Sequence, residues 1–152
     1  IEIEQAGPVR SCIRVDGWHG SSDSRLFHYV ARIHAYRGQP YVRVFYTFEN
    51  DHQDALMAKI RKLELRFWNS EAQGDCLLDG KPAVKGRLFQ VDENQYWIDG
   101  QSAGRRGCGW AAVGSEKSGI AVGVREFWQN WPKAISCGPG KDSTSWKMWR
   151  RR

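Results

Sequence analysis

This 152-residue chain has no apolar, uncharged run long enough to form a membrane-spanning helix. No long segment carries the 3.6-residue periodicity of an amphipathic helix, which argues against an α or α/β fold. The four cysteines, Cys12, Cys76, Cys108 and Cys137, are widely spaced. With no C-x-x-C pair and no Cys/His cluster, a structural zinc site is not expected. They can form up to two disulfides, in three possible pairings, or remain small buried side chains, and the sequence leaves this open. G-x-S-x-G, the P-loop and H-E-x-x-H are all missing, so the common hydrolase, nucleotide and zinc-protease signatures are excluded. Neither a cofactor nor a metal ion is expected. The chain opens on Ile1 without a leader pattern and is expected to be one internal domain of a longer protein.

Short strands bounded by turn residues make up most of the chain. Residues 9–15, 27–36, 41–48 and 60–68 alternate apolar and polar side chains with period two. Asp16-Gly17 is expected to start a turn into a polar loop over 18–25, and Arg37-Gly38-Gln39-Pro40 to close a hairpin. A single helical turn is expected at 55–59. Asp79-Gly80 and Asp99-Gly100 mark two further turns, with weaker strands at 84–91 and 96–98. Residues 100–109, GQSAGRRGCG, are expected to form a long flexible loop. A hairpin is expected from 110–114 and 120–128, and a last strand at 145–149. Many short strands with turns roughly every 8–12 residues point to an all-β, antiparallel β-sandwich, with a closed barrel as the rival. One sandwich domain is expected over 1–149, followed by a basic end or linker at 150–152.

The formal net charge is +6, but residues 141–152 hold five basic side chains and one acid. The remaining body is nearly balanced, with 18 basic and 16 acidic groups. A nucleic-acid reader would carry a basic face through the fold, so neither a nucleic-acid nor a membrane partner is expected.

Eight tryptophans are many for this length. Flat rings with one polar edge suit sugar surfaces, although indoles equally fill cores. Trp128 and Trp131, in REFWQNWPK with Arg125 and Lys133, lie where a strand gives way to a proline-bearing loop. A second group lies on one hairpin. His28, Arg32, His34 and Tyr36 share one side of a strand by alternation, and Arg43 returns near the same turn. Guanidinium groups can grip a carboxylate bidentately, and a base is needed for which a histidine such as His34 is well suited and a tyrosine such as Tyr36 is the alternative. A solvated face of ion pairs is the plain alternative for this hairpin.

Residues 31–51, ARIHAYRGQPYVRVFYTFEND, and 116–135, EKSGIAVGVREFWQNWPKAI, resemble the PcRGLX/YetA-like, exo-rhamnogalacturonan lyase-like family, in its central β-sandwich domain. The resemblance covers nearly all of the chain. It implies an N-terminal barrel-like domain and a C-terminal α/α toroid flanking this one. It implies β-elimination on rhamnogalacturonan I by the parent, with this segment alone inactive. It also implies an acidic polysaccharide or oligosaccharide as ligand and an extracellular or periplasmic location. On the residues' own chemistry, Arg32, Arg43, Arg125, Trp128, Trp131 and Lys133 are the candidate substrate-binding side chains. His34 and Tyr36 are the candidate catalytic ones. A carbohydrate-binding or purely structural sandwich without catalysis is the alternative.

Overall fold

The computed structural model describes residues 1–21, 24–51, 60, 62–67, 74–83, 86–137 and 144–148. Every sheet is antiparallel, and no helix occurs among the described residues. The expected helical turn at 55–59 and the basic end at 150–152 lie outside the described residues. The chain divides into two compact units, Ile1–Lys59 and Ile60–Arg152.

The first unit is a four-stranded sheet in chain order, β1 (Glu2–Ala6), β2 (Arg10–Ser21), β3 (Ser24–Tyr36) and β4 (Val42–Glu49). β2 does not stop at Asp16-Gly17. It runs on to Ser21, with Gly17 opposite Tyr29 and Trp18 opposite His28. The expected turn and loop over 18–25 are therefore mostly strand. Gly17 serves packing rather than turning, since a Cβ there would sit 3.0 Å from the Tyr29 hydroxyl. A register shift between Trp18 and Gly20 re-aims His19 into a cluster with Tyr29, Tyr46 and Phe48.

The second unit is a sandwich. One sheet orders its strands β10 (Gln101–Gly104), β9 (Gln95–Ile98), β8 (Gly86–Asp92), β13 (Lys133–Cys137), β14 (Thr144–Met148) and β5 (Leu63–Phe67). The other orders β12 (Gly119–Gly123), β11 (Trp110–Gly114), β6 (Asp75–Leu78) and β7 (Lys81–Ala83). Inward-facing Leu78, Leu88, Ala111, Val113 and Ile135 are almost fully buried between the sheets, with Phe127 at one end. Cys76 on one sheet and Cys137 on the other form a disulfide with Cα atoms 6.2 Å apart, while Cys12 and Cys108 are free. At Gly86 a Cβ would come 2.2 Å from Leu78 Cδ1, so the missing side chain is what lets Leu78 fill the core.

Asp79-Gly80 and Asp99-Gly100 turn with positive φ at both residues, as the two-residue hairpins they close require. The segment expected as a long loop at 100–109 is half strand, because β10 pairs with β9. Side chains distant in sequence hold the remainder. Asp79 accepts the backbone N–H groups of Cys108, Gly109 and Trp110 at 2.7–3.1 Å. Buried Gln90 accepts from Gly107 N–H at 2.9 Å and donates to the Arg105 carbonyl at 3.0 Å.

Candidate functional site

The two groups of expected site residues fall in different units. On the first sheet, alternation and register place His28, Arg32, His34 and Tyr36 of β3 on one face, with Arg43 of β4 directly opposite His34. Most of the charge on this face is already engaged. Arg32 Nε lies 3.0 and 2.8 Å from the two carboxylate oxygens of Glu4, and that hydrogen bond holds the Glu4 carboxyl below its usual range. Arg14 reaches Glu2 at 3.1 Å and Asp16 at 2.5 Å. His28 sits between two carboxylates, with Nε2 at 2.6 Å from Asp16 and Nδ1 at 2.9 Å from Glu49. Those bonds, Asp16 first, raise the His28 pKa and lower that of Asp16. The Trp18 indole N–H donates to Asp51 at 3.0 Å.

His34 packs edge-on against Phe45, with its Nε2 3.8 Å from Cys12 Sγ and its Nδ1 buried without a partner. Arg43 lies over the Tyr36 ring at 5.8 Å and has no carboxylate among the described residues. Tyr36 also neighbours Tyr41, with ring centres 5.9 Å apart. Arg32 is thus committed to a protein carboxylate, whereas Arg43, His34 and Tyr36 are not. Around Arg14, His28 and Arg32 this face is a ladder of mutually neutralising ion pairs.

The second group gathers at the Phe127 end of the sandwich. After β12 the chain turns through 125–130, with a positive φ at Glu126, and re-enters the six-stranded sheet at Lys133. Phe127 anchors this turn because Gly109 leaves room for it; a Cβ on Gly109 would lie 2.2 Å from Phe127 Cβ. The latched 105–109 segment carries Arg106, whose guanidinium lies 4.0 Å from the Trp128 ring centre. Trp131 is 47% exposed. Arg125 is largely in solvent, 3.4 Å from Glu126. Lys133 is only 8% exposed, and burial lowers the pKa of its amine.

The sequence reading missed Arg106, Gln90 and Asp79. Arg106 is adjacent to Trp128 only because Asp79 and Gln90 fasten its loop from other strands. The Asp-Gly turn was visible in the sequence, but its long-range role as an N–H acceptor was not. Among the described residues, no group of three or more His, Cys, Asp or Glu side chains is placed to hold a metal ion.

The family model for the PcRGLX-like protein central beta sandwich domain matches residues 1–71 and 88–150, so it covers the ion-paired sheet and the Trp128 turn alike. The chain belongs to this family. No curated protein and no solved structure gives a significant match. Membership in the PcRGLX-like family agrees with the antiparallel sheets and the two-layer core. It leaves the chemistry to be argued from the side chains.

Proposed function

We propose that this chain is the central β-sandwich domain of an exo-rhamnogalacturonan lyase-like polysaccharide lyase, and that it contributes domain packing and part of the cleft for an acidic pectic polysaccharide. The observation that carries this reading is the Arg106–Trp128 pair. The guanidinium lies over the indole, 4.0 Å from its ring centre, and no carboxylate engages Arg106 among the described residues. The planar fork of N–H donors on a guanidinium suits a uronate carboxylate, while exposed Trp131 offers apolar surface to a sugar ring. Elimination next to a uronate needs its carboxylate neutralised and a base for the neighbouring C–H. This end of the sandwich supplies the first requirement, and the flanking barrel-like and toroid domains belong to the same reading.

Rhamnogalacturonan I oligosaccharides are expected to bind with an affinity that Arg106→Ala and Trp128→Ala each weaken by about 1 kcal/mol, measured by calorimetry. Equal binding by both variants would remove this surface from the cleft. Unsaturated product, followed by the ultraviolet absorbance of its new C=C bond, is expected from the full-length protein and not from this segment alone.

A second reading, binding of a neutral saccharide, is favoured by one observation: Trp131 is open to solvent with no cation over its ring among the described residues. Trp131→Ala would then abolish binding of neutral galactan while leaving Arg106 without effect.

A further inference from the structure

Lys133 is the one basic side chain on the inner face of the core strands β8 and β13. Along β13, Cys137 bonds to the opposite sheet and Ile135 is fully buried, so alternation turns Lys133 inward as well. It stands opposite Gln90, as Ile135 stands opposite Leu88. Its aliphatic stem thus continues the core toward the Phe127 end, leaving 8% of the residue exposed.

The nearby acceptors are already engaged. Gln90 Oε1 takes the Gly107 N–H, and both Asp79 oxygens take backbone N–H groups of the same loop. Glu126, the one acid whose charge acts on the amine, contacts Arg125 at 3.4 Å and Asn130 at 3.5 Å. No hydrogen bond or ion pair joins the Lys133 side chain to any described residue. Among the described residues the sealed polar atoms without partners are Arg14 Nε, His34 Nδ1 and Trp97 Nε1; Lys133 Nζ is not among them, so the amine is not fully sealed from solvent. A buried amine without a counter-ion is costly, and burial accordingly disfavours its charged form. An arriving anion would reverse that cost, and a sheet-borne amine is positioned more rigidly than one on a loop.

We propose that Lys133 is an anion anchor at this end of the sandwich, receiving the carboxylate of a uronic-acid residue beside the Arg106–Trp128 pair. This rests on the acidic-saccharide reading above and adds the residue that separates acidic from neutral sugars. Apolar contact with Trp128 or Trp131 accepts either kind of sugar, whereas a half-desolvated ammonium favours the anion.

The test uses this chain with isotope-labelled lysine side chains, the Lys133 signal being assigned by its loss in Lys133→Met. Galacturonate is titrated beside galactose and inorganic phosphate. Galacturonate is expected to shift the Lys133 signal, raise the pH at which the amine titrates and leave galactose without effect. A shift with phosphate of equal size would reassign the site to oxyanions in general and overturn the uronate assignment. An unmoved Lys133 signal with all three probes would overturn the proposal outright, whatever Trp128 does. In calorimetry, Lys133→Met is expected to weaken acidic oligosaccharide binding at least about tenfold and to leave neutral galactan binding unchanged. The same variant is expected to melt at or above the wild-type temperature, because it removes an unpaired buried charge. A lower melting temperature with unchanged acidic binding would make Lys133 structural. If Lys133 responds while Trp128→Ala changes nothing, the anchor stands and the Arg106–Trp128 surface falls.

Discussion

Asp79 organises more of this molecule than its place in a two-residue turn suggests. Its two oxygens accept three backbone N–H groups from residues 108–110. Asp79→Asn keeps the turn conformation but sets an amide donor against one of those N–H groups. We expect a loss of about 1–3 kcal/mol in urea denaturation, together with a weaker Arg106–Trp128 contact. His28 behaves differently because it titrates. Its folded pKa lies above the unfolded value, so the clamp between Asp16 and Glu49 is fully present below about pH 6.5 and is lost as pH rises through the folded value. Asp16, Glu4 and Asp51 have lowered pKa values, so their contributions persist above the usual carboxylate range and fade as pH falls through the folded values. Stability measured between about pH 5 and 8 should therefore fall toward the alkaline side, and His28→Gln should flatten that slope. An unchanged slope in the variant would show that His28 is not the group responsible.

At the scale of elements, alternation alone was enough to group His28, Arg32, His34 and Tyr36, and β3 confirms their shared face. The facing of Arg43 required the β3–β4 register, which no local pattern specifies. β2 shows how a local signal can mislead. Asp16-Gly17 reads as a turn, yet the strand continues because Tyr29 crosses over Gly17 and His28 bonds to Asp16. Gly86 is a similar case, where the residue opposite in the other sheet decides the requirement. Gly86→Ala should cost about 1–3 kcal/mol by overpacking Leu78, and the double variant with Leu78→Val should recover part of that loss. Additive effects in that cycle would mean that the two sites are not in steric conflict.

Across the whole molecule, the Cys76–Cys137 disulfide ties the two sheets of the second unit together over a separation of 61 residues. Loop closure on that scale stabilises by about 4 kcal/mol, so replacing both cysteines with alanine should lower the denaturation midpoint markedly. An equal midpoint under reducing and oxidising conditions would contradict the pairing. The near balance of charge outside 141–152 also acquires a structural meaning, since acids and bases on the first sheet largely neutralise one another. Arg106, Arg43 and Lys133 are among the cations with no carboxylate in contact among the described residues.

The sequence by itself determined the all-β class, the Asp-Gly hairpins and the side of β3 on which its polar residues lie, because these follow from period-two alternation and the φ preferences of neighbouring residues. It also carried enough of the family's pattern to be recognised. Tertiary structure alone decided which two of four cysteines pair, that Arg32 is occupied by Glu4, that Arg106 covers Trp128 and that Lys133 faces inward. Each of these depends on strand order and register between distant segments, where free energy is gained by contacts that no local stretch of sequence contains.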